Sequence, residues 1–71
     1  MDKIDKLIEL EGFSSQEELA NKYISDSLCP AICINDGCSY TVHLEPDQDK
    51  GYCEECGTNS VKSLFILMGV I

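Results

Sequence analysis

The sequence predicts an α+β chain in which an N-terminal helical hairpin packs on a small β module with two cysteine knuckles, followed by an apolar C-terminal helix. Three observations predict it. Residues 2–28 carry apolar side chains at helical spacing. Tyr40, Val42 and Leu44 alternate with Thr41, His43 and Glu45. Two close cysteine pairs, Cys33 with Cys38 and Cys53 with Cys56, flank that alternating stretch. A chain of 71 residues is expected to form one domain. Within it, 1–28 reads as the helical hairpin, 29–58 as the cysteine module and 59–71 as an apolar helix or strand.

In the first segment, Asp2 to Glu11 places Ile4, Leu7, Ile8 and Leu10 among Lys3, Asp5, Lys6 and Glu9, the pattern of an amphipathic helix. Gly12 is expected to stop it. Ser14 with Glu17 and Ser15 with Glu18 both fit a capping box, with Phe13 placed to pack back as a staple, so a second helix starts near Ser15. Leu19, Ala20, Tyr23, Ile24 and Leu28 continue one apolar face, and Cys29-Pro30 is expected to end it, because proline restricts the residue before it.

The module begins with Cys33-Ile34-Asn35-Asp36-Gly37-Cys38, in which Asn-Asp-Gly marks a turn. The alternation from Tyr40 to Leu44 reads as a half-buried strand. Glu45-Pro46-Asp47-Gln48-Asp49-Lys50-Gly51 reads as a loop, and Tyr52 leads into Cys53-Glu54-Glu55-Cys56-Gly57. On this reading the two cysteine pairs close the two ends of one hairpin. In the tail, Val61, Leu64, Phe65 and Met68 suit a helix capped by Asn59 or Ser60, although Val61-Lys62-Ser63-Leu64 also suits a strand; helix is the expected form. Part of the apolar tail should cover the N-terminal helices, and the surplus offers a homodimer or partner surface.

The cysteine spacing points to a metal. Short gaps inside each pair and fourteen residues between the pairs allow Cys33, Cys38, Cys53 and Cys56 to converge on one tetrahedral Zn²⁺, with sulfurs about 2.3 Å from the ion. Gly57, having no Cβ, lets the chain turn beneath the second pair. Such a staple matters at this size. A single small core supplies only about 3–5 kcal/mol, whereas structural zinc contributes about 10–16 kcal/mol of apparent binding free energy that becomes folding free energy. Disulfides are the competing staple, and the five cysteines would allow two bridges with one thiol left over. Met1-Asp2-Lys3 begins no signal peptide, so an oxidising compartment is not indicated and a soluble, cytoplasmic protein is expected. The run Leu64 to Ile71 falls far short of the roughly 20 residues that span a bilayer. Two further ligands remain open: Cys29 could replace Cys38, and His43 could donate a nitrogen. Cys29 reads better as a small buried hydrophobe, and His43 as a surface residue on the strand face opposite Val42.

Charge narrows the partner. The formal net charge is −8, and four thiolates around Zn²⁺ would take it to about −10. The five basic residues are all lysines, Lys3, Lys6, Lys22, Lys50 and Lys62, scattered along the chain. This disfavours nucleic acid, whose binding rests on basic contacts to phosphate, and favours a protein with a basic surface. A helix-turn-helix reading of the first segment fails on the same ground, since it would present Glu17 and Glu18 to the major groove. Glu45, Asp47 and Asp49 form the leading candidate partner contact. The Asp-x-Asp-x-Gly order within that loop lacks the further carboxylates of a calcium loop.

The cysteine plan resembles the zinc ribbons, small β modules holding one Zn²⁺ between two knuckles. More closely, Ile32-Cys33, Cys38 to Thr41, Glu45 to Asp49, Gly51, Cys53 to Thr58 and Val61 to Ser63 are similar to a group of small uncharacterised zinc-ribbon proteins of bacteria and their phages. The resemblance implies ligands at Cys33, Cys38, Cys53 and Cys56, with Cys29 outside the site. Because a four-cysteine site is closed to substrate and no Ser/His/Asp or Cys/His constellation stands beside it, no enzyme is expected. The expected role is a non-catalytic structural-zinc interaction module or regulator, with transcription or replication machinery as the setting zinc ribbons suggest. A nucleic-acid-binding ribbon is the alternative. Iron in the same four thiolates, giving a rubredoxin-like electron carrier, is the third reading.

Overall fold

The structure, a computed structural model, describes residues 3–69. Its elements are α1 (Lys3–Glu11), α2 (Gln16–Tyr23), β1 (Cys29–Cys33), β2 (Thr41–Leu44), β3 (Gly51–Cys53), β4 (Thr58–Ser63) and α3 (Leu64–Met68). This is the expected α+β order: two helices, a β module and a short apolar helix.

The helical hairpin follows its sequence signals closely. Leu7 and Ile8 bury one face of α1. The helix closes through Gly12 N–H to Glu9 C=O and Phe13 N–H to Ile8 C=O, both 3.1 Å, the paired bonds that satisfy the last orphan carbonyls. Ser15 is the N-cap of α2 and its hydroxyl accepts from the Glu18 N–H at 3.2 Å. The Glu18 carboxylate accepts from the Ser14 hydroxyl. Phe13 packs against the core beneath the two helices.

Helix α2 stops at Tyr23 and does not run on to Leu28. Ile24 is 69% and Leu28 49% exposed, so the expected apolar face ends with the helix. Ser25, Asp26 and Ser27 favour local turns over helix, and the Asp26 N–H already bonds back to the Tyr23 carbonyl. Cys29-Pro30, expected to be a helix stop, instead opens the central strand. All five residues of β1 are buried, and a short, uniformly apolar run shows no period by which to recognise it.

The sheet is antiparallel with order β2-β1-β4-β3, which corrects the expected single hairpin. β2 and β3 lie at opposite edges. Each cysteine pair instead serves the turn of its own hairpin, β1 with β2 and β3 with β4, and residues 45–50 cross between them. Pro30 is accommodated because the Cys33 N–H bonds the Tyr40 carbonyl while the Ile34 N–H bonds Ser60 on the other side. This alternation turns Pro30's missing N–H toward β4, whose pairing with β1 begins only at Ala31 with Ser63.

Although β2 and β3 are not paired, they approach each other across one face of the sheet. A Cβ built on Gly51 would stand 2.6 Å from Leu44 Cδ1 and 3.1 Å from Val61 Cβ. Gly51 is therefore a site of close approach inside a strand and not the loop punctuation expected of it.

The tail also divides differently from expectation. Strand β4 takes Thr58–Ser63, and the helix begins only at Leu64, capped by Ser63 and not by Asn59 or Ser60. Pairing with strands on both sides outweighs the helical spacing. Leu64 and Phe65 are buried, with Leu67 and Met68 packed partly against the same core; Val70 and Ile71 lie outside the described residues. Two apolar clusters result. One joins Leu7, Leu19, Cys29, Ile32, Leu64 and Phe65 under the helices, and the other joins Ala31, Cys33, Cys53 and Val61 with Tyr40, Val42 and Leu44. Among the described residues, no helix is long and apolar enough to cross a membrane.

Candidate metal centre

The two hairpin turns bring their cysteines to one point. Cys33 ends β1 and Cys38 closes the following turn, where its N–H bonds the Asn35 carbonyl at 3.1 Å. Cys53 ends β3, and the next turn carries Cys56 and closes with Gly57 N–H on the Cys53 carbonyl at 2.8 Å. Gly57 sits at φ 70°, as the sequence required, and Gly37 at φ 80° plays the same part in the first turn. The four sulfurs all lie within 4.8 Å of one another.

Their spacing discriminates between staples. Cys33 Sγ is 3.8 Å from Cys56 Sγ, and Cys38 Sγ is 3.7 Å from Cys53 Sγ. A disulfide needs about 2.05 Å, and all five cysteines are free. A tetrahedron with metal–sulfur bonds of about 2.3 Å has sulfur–sulfur edges of about 3.8 Å. The donor set and its size thus fit one tetrahedral metal ion.

Around the sulfurs is a shell of hydrogen-bond donors. Backbone bonds reach Cys33 from Asn35, Cys38 from Tyr40, and Cys53 from Glu55 and Cys56; the Cys56 N–H lies 3.3 Å from Cys53 Sγ. Three side chains support Cys33 in addition. The Asn35 amide donates to Thr58 Oγ1 at 3.3 Å and to Ser60 Oγ at 3.2 Å, the two hydroxyls are 2.8 Å apart, and Ser60 Oγ is 3.2 Å from Cys33 Sγ. Every group is satisfied when Thr58 donates to Ser60 and Ser60 donates to the sulfur. From α1, Lys3 Nζ donates to the carbonyls of Asn35 at 2.7 Å and Cys38 at 2.5 Å, fastening the first helix to the first knuckle.

These contacts spread the thiol acidities. Burial pushes Cys33 up, but the Ser60 hydroxyl, the Asn35 backbone and the Cys38 and Cys53 side chains bring it down to about 6. The Tyr40 backbone bond pulls Cys38 down, yet burial and the sulfurs of Cys56, Cys33 and Cys53 drive it up to about 12. Burial raises Cys53. Without a metal, the cluster gives up a first proton readily and holds its last tightly, as crowded anions must.

The remaining candidate residues fall elsewhere. Cys29 is buried among Leu7, Leu19 and Ile32, beneath the helices and outside the four-sulfur group. His43 stands on the helix side, its Nε2 3.7 Å from Glu11 Oε1 and its ring 5.7 Å from that of Tyr23. Glu45, Asp47 and Asp49 are all exposed, on a loop whose backbone is tied to β4: Ser63 donates to the Pro46 and Gln48 carbonyls and Lys62 Nζ to that of Asp49. Sequence reasoning missed Lys3, Asn35, Thr58 and Ser60. For the last two a signal existed, since small hydroxyl residues at alternate positions directly after a cysteine knuckle share one strand face.

Fold and site together define a small α+β protein with a four-cysteine centre able to hold a metal ion. Comparison of the chain with family models, with curated proteins and with solved structures finds no match.

Proposed function

We propose that Cys33, Cys38, Cys53 and Cys56 hold one structural Zn²⁺, and that the protein is a non-catalytic, zinc-ribbon-like interaction module acting on a protein with a basic surface, of the kind found in transcription or replication machinery. The observation that carries the metal assignment is the pair of sulfur–sulfur separations, 3.7 and 3.8 Å, on chain segments brought together only by folding. With all four positions taken by sulfur, the ion would have no place for water or substrate, and its contribution would be to stability.

The interaction role rests on charge and presentation. Thirteen acidic residues against five lysines suit a basic partner. The backbone tethers from Ser63 and Lys62 hold the Glu45–Asp49 loop in place, so presenting its carboxylates costs little ordering on binding. The test is a nuclease-treated pull-down from lysate of the native source, with zinc-loaded protein beside a variant carrying Asp47→Ala and Asp49→Ala, read by mass spectrometry. A basic protein retained by the first and lost by the second is the expected result. Recovery of nucleic acid alone, abolished by nuclease, would overturn the reading in favour of a nucleic-acid-binding ribbon. An absorption band in the visible region of freshly purified protein would replace zinc by iron.

A further inference from the structure

The two edges of the sheet are not equally protected. β3 is three residues long and its pairing with β4 is irregular between Gly51 and Cys53, devices that keep an edge from pairing further. β2 has no such device. It runs four residues in unbroken register with β1, and Thr41-Val42-His43-Leu44 contains no proline, lysine or bulge. Because Cys33 N–H bonds the Tyr40 carbonyl, the alternation of an antiparallel ladder assigns Val42 and Leu44 to β1 as well. The N–H and C=O of Thr41 and His43 therefore face away from the sheet.

The side chains along this edge specify what fits. Val42 and Leu44 are only half-buried on the face they share with Ala31 and Val61, so an added strand with apolar residues on that face would extend an existing cluster. The other face and the two ends are acidic. Glu54 Oε2 accepts from the Tyr40 hydroxyl at 3.4 Å, Glu11 lies beside His43, and Glu45 follows Leu44 directly. Of the lysines near this edge, Lys22 lies over the Tyr23 ring, 5.6 Å from its centroid, and Lys3 is held by the Asn35 and Cys38 carbonyls. A second copy of this chain would bring the same carboxylates against these, on a molecule of net charge −8, so self-pairing is opposed. A foreign strand alternating basic and apolar residues meets both demands.

We propose that the free edge of β2 docks an extended basic segment of a partner protein as a fifth strand, with main-chain bonds to Thr41 and His43 supplying the attachment and Glu11, Glu45 and Glu54 the selectivity. This rests on the reading of the protein as an interaction module for a basic partner, and adds where and in what form the partner binds.

The test uses full-length zinc-loaded protein and the synthetic peptide acetyl-Lys-Val-Lys-Val-Lys-Val-amide, followed by amide hydrogen exchange in NMR. Expected is protection of the Thr41 and His43 amides by roughly tenfold or more, lost with an N-methylated peptide that lacks main-chain donors and with the peptide bearing Glu in place of Lys. The variant Thr41→Pro, whose missing N–H points off the sheet, should retain its fold and lose binding. Should that variant unfold, the N-methylated peptide still decides. Protection of Thr41 and His43 that rises with protein concentration in the absence of peptide would overturn the proposal in favour of a second copy. Absence of protection at millimolar peptide would overturn it outright. A basic partner retained in the pull-down by Thr41→Pro but lost by Asp47→Ala with Asp49→Ala would overturn the edge while leaving the interaction module standing.

Discussion

Lys3 Nζ donates to the main-chain carbonyl of Cys38 at 2.5 Å, across thirty-five positions of sequence, and so ties the start of the first helix to the turn that carries one sulfur of the four-cysteine centre. The helical hairpin and the cysteine centre are therefore coupled, and one part should report on the state of the other.

Removing that tie by Lys3→Met should lower the stability of the zinc-loaded protein by about 1 kcal/mol, the value of a charge-assisted bond discounted for partial exposure. Lys3→Arg should recover part of the loss, and Lys6→Met should leave stability unchanged. Urea unfolding followed by circular dichroism reads all three.

Ser60→Ala should weaken zinc binding by about tenfold or more, the usual effect of removing a hydrogen bond to a metal ligand. The side chains of Asn35 and Thr58 reach Cys33 through Ser60, so Thr58→Val should have a smaller effect, and adding it to Ser60→Ala should cost little further. Chelator competition measures each affinity.

Zinc affinity should rise steeply with pH. Cys38, at about 12, and Cys53, also raised, carry protons at neutral pH, so binding must expel at least these two and affinity should gain roughly a hundredfold or more per pH unit. Cys33, at about 6, is already mostly thiolate at pH 7 and adds a further proton only as pH falls through that value. Metal-linked stability is thus present from neutral pH upward and lost on acidification, most steeply below about 6. Competition titrations at several pH values, with proton release followed by indicator dye, check the slope and its break.

Gly51→Ala should destabilise the protein by about 1–3 kcal/mol through overpacking, because the new methyl meets Leu44 and Val61. Combined with Leu44→Ala, whose own loss leaves space beside the new methyl, the two changes should be less than additive. Thermal denaturation of the double-mutant cycle would show it.

What the sequence made legible was local chemistry. The Ser15 cap, the turn at Gly12 and the alternation of β2 depend on neighbours within a few residues, and each stands in the structure as read; the four cysteines were legible from their paired spacing, although only folding brings the two pairs together. What it hid was competition between distant segments. Cys29-Pro30 looks like a helix stop because nothing nearby shows that Ala31 and Ile32 will be flanked by β2 and β4. Val61 and Leu64 keep helical spacing, yet pairing to β1 claims residues through Ser63 first. The single hairpin expected between the cysteine pairs failed for the same reason: β1 was missing from the reading, so β2 had no other strand to pair with. Lys3 reaches the knuckle from a different element altogether, a contact no local pattern encodes.

The central claim is tested most directly by X-ray absorption fine structure at the zinc edge on purified protein carrying one zinc per chain. The account predicts a single shell of four sulfurs at about 2.3 Å. A folded protein that takes up no zinc, or a shell containing nitrogen or oxygen, would contradict it.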